Sequence, residues 1–89
     1  MNYEKKFTPG PWHIDDDGDV SSIDMRTICE IEPLSRNEWK FNSHLISSAP
    51  ELLDAMIDVL ELASAYGMKG SIYDKCILSV NKALNIKNS

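Results

Sequence analysis

Trp12-His13-Ile14-Asp15-Asp16-Asp17-Gly18-Asp19-Val20 is the stretch on which the fold class turns. Trp12 and Ile14 alternate with polar neighbours, the period of a half-buried strand, and Asp17-Gly18 is a favoured pair for a tight type I′ hairpin turn. The chain is therefore expected to fold back on itself at Asp16–Asp19. A second strand follows over about Val20–Asp24, then a short polar turn at Met25-Arg26 and a third strand over Thr27–Glu32. In the third strand Cys29 and Ile31 share one face, while Ile28 points to the other with Glu30 and Glu32. Pro33 ends it, because proline cannot donate to a ladder. Upstream, Thr8-Pro9-Gly10-Pro11 lacks two backbone donors and excludes regular structure, so the first strand starts near Trp12. Three short strands do not stand alone in water and need a helical cover on their apolar face.

Past Pro33 the period changes. Residues 34–40 read as a connector, and from Phe41 onward Leu45, Ile46 and Ala49 recur at helical steps. Phe41–Ser47 is a short helix of its own or a first arm kinked at Pro50. Ser48-Ala49-Pro50-Glu51 has the form of a helix start, with Ser48 as N-cap and Glu51 closing a capping box. In the main helix Leu52, Leu53, Met56, Ile57, Leu60 and Ala63 make a wide apolar face, with Asp54, Asp58 and Glu61 opposite. Gly67 and Gly70 end it, and Ser71 opens a last helix with the stripe Tyr73, Cys76, Ile77, Val80 and Leu84. Ile72 and Leu78 fall off that stripe. The expected fold is α+β in one domain over 1–89: an arm at 1–11, a three-stranded antiparallel β-meander at 12–33, and a helical hairpin of two to three helices at 41–86 packed on one face.

Size and charge restrict function. Eighty-nine residues make one domain at most, with no room for a second core, and a net charge of −5 argues against unaided nucleic-acid binding, which needs a basic patch. No apolar run is long enough to span a membrane and the N-terminus has no signal-peptide h-region, so a cytosolic protein is expected. Cys29 and Cys76 have no partner at metal-ligand spacing and are expected to be reduced core residues, a disulfide being the minor alternative.

Few residues point to chemistry. Asp15-Asp16-Asp17-Gly18-Asp19 invites comparison with a calcium loop, but with Gly18 at position six, position one falls on His13 and position twelve on Asp24; a solvated hairpin tip fits better. His13 and His44 lack a metal or catalytic partner in the sequence, and no nucleophile elbow, phosphate loop or paired-carboxylate motif is present. No enzyme activity, metal or cofactor is expected. Trp12, in phase with Ile14, belongs to the core; Trp39, in Asn37-Glu38-Trp39-Lys40-Phe41, suits either packing or partner contact. Ile28, Ile72 and Leu78 exceed what one small core absorbs, which points to a homodimer. Asp54, Asp58 and Glu61 form a solvated face or an acidic stripe for a basic partner. Phosphate, if bound, would fall to the loop cations Arg26, Arg36, Lys40 and Lys69.

Two segments carry a resemblance. Thr8-Pro9-Gly10-Pro11-Trp12 and Asn42-Ser43-His44-Leu45-Ile46-Ser47-Ser48-Ala49-Pro50-Glu51-Leu52-Leu53-Asp54-Ala55-Met56 resemble an uncharacterised family of small phage and prophage proteins, in which they read roughly TPGPW and NAxLIAAAPELLEAL. Ser43, Ser47 and Ser48 stand where the family usually has alanine, a change expected to matter little beyond supplying the N-cap. The resemblance implies a virus-encoded accessory protein in the bacterial host cytoplasm and brings no catalytic residues with it. Joined to the acidity, it leads to a non-enzymatic module that binds and inhibits a host defence protein. The alternatives are a sponge for a nucleotide signal at a dimer interface, or a structural or regulatory phage component. Trp39, Ile28, Asp54, Asp58 and Glu61 are the expected partner contacts, with Arg26, Arg36 and Lys40 the expected phosphate contacts.

Overall fold

The computed structural model describes residues 3–32 and 37–86. The elements run β1 (Trp12–Ile14), β2 (Val20–Ser22), β3 (Thr27–Cys29), α1 (Glu38–Ser47), α2 (Ala49–Ala65) and α3 (Ser71–Ala83). The sheet is antiparallel in the order β1-β2-β3, so the α+β arrangement of a meander followed by helices is the one expected from the sequence. No helix of the described residues is long and apolar enough to cross a membrane.

Both hairpins are built on one turn, and it is not type I′. The Gly18 N–H donates to the Asp15 carbonyl at 3.0 Å and the Asp15 N–H to the Asp19 carbonyl at 2.9 Å. Gly18 has φ +84° and Asp17 keeps a negative φ. That is a three-residue loop, a type I turn followed by one left-handed residue. The reason lies in Asp15, whose Oδ1 accepts the N–H of Asp17 and of Asp19 at 3.0 Å each and so stabilises the type I form. The second hairpin repeats the pattern seven residues on: Met25 N–H to Ser22 carbonyl at 3.0 Å, Ser22 N–H to Arg26 carbonyl at 2.8 Å, and Met25 at φ +67°. Here Ser22 Oγ accepts the Arg26 N–H at 3.1 Å and donates to Asp24. β2 thus ends at Ser22, and Ile23 to Met25, expected in part as strand, are loop.

A register shift follows between Val20, paired with Cys29, and Ser21, paired with Thr27. Ile28 is the extra residue, a β-bulge that rotates the strand locally. Strict alternation therefore fails in β3: Ile28, expected to point outward, is half-buried, as is Cys29.

The chain divides into two compact units, Thr8–Glu51 and Met1–Phe7 with Leu52–Ser89. In the first, α1 lies on β1 and β2. Its interior holds Val20, Ser21 and Ser22 from β2, Ser43 from α1, and Pro50. Helix α1 begins at Glu38, earlier than expected, after Asn37 at φ 59°; Trp39 and Lys40 are on its first turn instead of in a connector. Ser48 has helical backbone (φ −87°, ψ −4°), so it does not act as the N-cap of α2. Its hydroxyl turns back to the His44 carbonyl at 2.8 Å, and its N–H reaches the same oxygen at 3.1 Å. The expected capping box with Glu51 does not form, and the two helices are parted at this single residue, just before Pro50. The Thr8–Pro11 segment is fixed from both ends. A Cβ on Gly10 would lie 2.8 Å from the Pro50 Cβ, and Trp12 Nε1–H donates to the Thr8 carbonyl at 3.0 Å.

In the second unit, Ile57 and Leu60 of α2 and Val80 of α3 form the buried cluster. Tyr3, Leu53, Met56, Tyr73, Cys76, Ile77 and Leu84 pack against it, and with Val80 the last four of these make up the expected α3 stripe. Leu52, placed by the sequence pattern on the buried face of α2, is 55% exposed on another face. Both helices close with paired C-terminal bonds around a left-handed residue. At Gly67 (φ 68°) the bonds are Met68 N–H to Ala63 and Gly67 N–H to Ser64; at Asn85 (φ 57°) they are Ile86 N–H to Asn81 and Asn85 N–H to Lys82. Gly70, at φ 126°, is the cap of α3 in place of the expected Ser71. Cys29 and Cys76 are free thiols, each half-buried.

Met25 occupies the left-handed position that Gly18 fills in the first hairpin, and its side chain is 73% exposed. Left-handed backbone costs a non-glycine residue roughly 1–2 kcal/mol, of which glycine's greater freedom when unfolded returns about half. Met25→Gly is expected to stabilise the sheet unit by about 0.5–1 kcal/mol, read as a higher urea midpoint followed by tryptophan fluorescence.

Candidate functional site

Among the described residues, the sheet unit carries a groove that gathers charged and aromatic side chains. It is about 350 Å³ and is lined by Ile14, Asp15, Asp16, Asp17, Gly18, Trp39, Lys40, Ser43 and His44. One wall is the tip of the first hairpin and the other the first two turns of α1. The two walls are locked by small groups. A Cβ on Gly18 would fall 3.0 Å from Trp39 Cζ3, so the indole rests on glycine backbone. The buried Ser43 hydroxyl lies 3.0 Å from the Gly18 carbonyl and 2.8 Å from the Trp39 carbonyl and shares its proton between them. Lys40 places its Nζ 5.5 Å from the Trp39 ring centroid, a cation–π contact that holds the ammonium at the rim.

The acidic wall has a division of labour. Asp15 is structural: beside its two backbone bonds it takes the Ser21 hydroxyl on Oδ2 at 2.9 Å. The Ser21 hydrogen bond holds its carboxyl below the ordinary value of 3.8; partial desolvation opposes this, and the N–H groups of Asp19 and Asp17 add to it. Asp19 is structural too, since its Oδ1 accepts the Ile31 N–H at 2.8 Å. Asp16 and Asp17 are exposed at the tip. Asp15, Asp17 and Asp19 can each bring one ligand oxygen within 4.8 Å of the others, so a hard cation is geometrically conceivable. It would have to compete with the backbone for the lone pairs of Asp15 and Asp19. The cluster acts first as the clasp of the hairpin.

The residues singled out from the sequence are dispersed. Trp39 is half-buried in the groove and Lys40 lines it. Arg26 does not; its Nε pairs with Asp24 at 2.9 Å in the second hairpin, and Asp24, bonded first by Ser22 and then by Arg26, is likewise held below its ordinary value. Arg36 falls outside the described residues. Ile28 is half-buried in the bulge. Asp54, Asp58 and Glu61 are exposed on α2, where Asp54 pairs with Lys5. His13 and His44 are exposed, His44 at the groove and His13 on β1. The sequence reading passed over Ser43, treated as a neutral replacement of alanine, although it is buried and carries the contact between α1 and the hairpin. It also passed over Ile23, Met25 and Phe41 and laid Leu45 on the sheet, whereas all four are exposed, at 64–73%. Leu45 and Ile46, with Glu30, Ile31, Glu32 and Asn42, line a second and more apolar hollow of about 250 Å³.

Two substitutions test this construction. Gly18→Ala strains the left-handed backbone and drives a methyl against the Trp39 ring, and is expected to destabilise the sheet unit by about 2 kcal/mol in urea titration. Asp15 bears on acid stability. Its folded carboxyl titrates below 3.8, so its contribution is present above that pH and is lost as pH falls through the lower folded value. In Asp15→Asn that acid limb is expected to flatten when unfolding is followed by fluorescence between neutral pH and pH 2.

A model of the family described as Salmonella phage P22 protein Y8K6 matches residues 1–86, which bears out the resemblance carried by the two motifs. No curated protein and no solved structure matches the chain. The match spans both compact units, including the Gly10–Pro50 contact that joins the motifs, so the chain belongs to the Salmonella phage P22 protein Y8K6 family.

Proposed function

We propose that this phage protein is a non-enzymatic binding module that occupies and inhibits a basic surface of a bacterial host protein, such as the nucleic-acid-binding face of a defence nuclease, in the host cytoplasm. The observation that carries the reading is the groove of the sheet unit. It sets the exposed carboxylates of Asp16 and Asp17 opposite the half-buried Trp39 indole, a pairing suited to an arginine or lysine side chain of a partner. A net charge of −5 steers the chain toward basic surfaces and away from phosphates. The phosphate-sponge alternative draws little from the same groove, whose cationic contribution is Lys40 against three aspartates, while Arg26 is paired to Asp24.

The experiment is expression of the chain in a bacterium protected by a nuclease-based defence, with phage plating efficiency as the readout. The wild-type chain is expected to raise plating at least tenfold, and Asp16→Lys with Asp17→Lys to abolish the rise while the purified variant keeps its melting curve. Unchanged plating with the wild type across a panel of such defences sinks the proposal, as does full activity of the charge-reversed variant.

A further inference from the structure

Helix α2 has two apolar faces, and one of them is exposed among the described residues. Leu52, Ala55, Val59, Leu62 and Tyr66 succeed one another at steps of three, four, three and four residues, the spacing that keeps a single seam turned toward a partner helix. Tyr66 stands just past the helix end, yet its N–H still bonds the Leu62 carbonyl at 3.2 Å and prolongs the row by a turn. Leu52, Val59, Leu62 and Tyr66 are 55, 58, 60 and 77% exposed, and Ala55 is exposed with them. The row is distinct from Ile57 and Leu60, which fill the core of this unit. A surface helix ordinarily carries polar residues there, and a contiguous apolar row left in water marks an interaction surface.

The charge beside the row selects its occupant. Asp58 borders it, and Glu61 and Asp54, the latter paired with Lys5, continue the same edge; between Ala49 and Ala65 there is no lysine or arginine. Antiparallel packing of one such row on a second copy would set these carboxylate edges against each other with no base on either helix to pair them. We infer that the Leu52–Tyr66 row of α2 is a docking surface for an amphipathic helix of another protein, one whose apolar seam is flanked by lysine or arginine. This surface is separate from the groove of Asp16, Asp17 and Trp39 and stands or falls without it.

The test uses the full chain and two designed helical peptides with leucine at the seam positions and either lysine or glutamate at the flanking ones, with binding read by fluorescence anisotropy. The lysine peptide is expected to bind at least tenfold more tightly than the glutamate peptide, with the difference shrinking as salt is raised. Val59→Glu with Leu62→Glu is expected to weaken the lysine peptide at least tenfold, and Asp58→Lys with Glu61→Lys to reverse the preference. The second pair alters only exposed charges and so decides the matter even if the first pair impairs folding. Asp16→Lys with Asp17→Lys is expected to leave the peptide affinities unchanged, which separates this surface from the groove. Equal affinity for both peptides overturns the inference. So does dimerisation of the free chain that Val59→Glu abolishes, which would make a second copy the occupant. Methyl groups of Val59 and Leu62 shielded from a soluble paramagnetic agent in the free chain would overturn it too, since the chain itself would then cover the row.

Discussion

The Asp15 carboxylate closing on the backbone of its own loop is the constraint on which the sheet unit depends. By accepting the N–H groups of Asp17 and Asp19 it fixes a type I turn, and a type I turn in a three-residue hairpin requires a left-handed residue next. That residue is Gly18. Because it has no side chain, the Trp39 ring can lie against it and the Ser43 hydroxyl can reach its carbonyl. A unit of this size cannot rely on bulk burial: among its described residues the buried apolar side chains are Val20 and Pro50, next to three buried serines. Backbone geometry, a few satisfied hydroxyls and one close aromatic contact do the work that a larger core does elsewhere.

The same economy explains why two motifs far apart in sequence occur together. Gly10 of the Thr8–Trp12 motif and Pro50 of the Asn42–Met56 motif touch so closely that no Cβ fits between them, and Trp12 returns a hydrogen bond to Thr8 that holds the segment in place. Pro50 therefore has two consequences. It lacks the N–H that a continuous helix would use at that point, and it supplies the surface on which the N-terminal segment rests. The three serines expected to stand in for alanine are not equivalent. Ser47 and Ser48 bond back to the His44 carbonyl on the outside of the helix, whereas Ser43 is buried and holds the hairpin.

Where the sequence reading went astray, it was one backbone bond or one helical step from the truth. Strand alternation put Ile28 outside, and a bulge at that residue turned it partly inward. Ser48 followed by Glu51 has the letters of a capping box, but a cap needs extended backbone and Ser48 is helical. On α2 the apolar letters exceed one face; Leu52 was assigned to the core because an amphipathic pattern admits it, and Val59 and Leu62 went unremarked. Only a second helix in place shows which face is occupied, since Val80 meets Ile57 and Leu60 and leaves Leu52, Val59 and Leu62 to solvent.

Order of elements, the antiparallel meander and the two amphipathic helices follow from local chemistry, alternation with glycine and proline punctuation, written within a few residues of where it acts; the phage family follows from the likeness of two short motifs. The groove is different. Trp39 and Gly18 are distant in the chain, and nothing local says that an indole will settle on that glycine or that Asp16 and Asp17 will face it. Periodicity assigns a residue to a face, but which face meets what depends on turn geometry and on packing between segments remote in sequence.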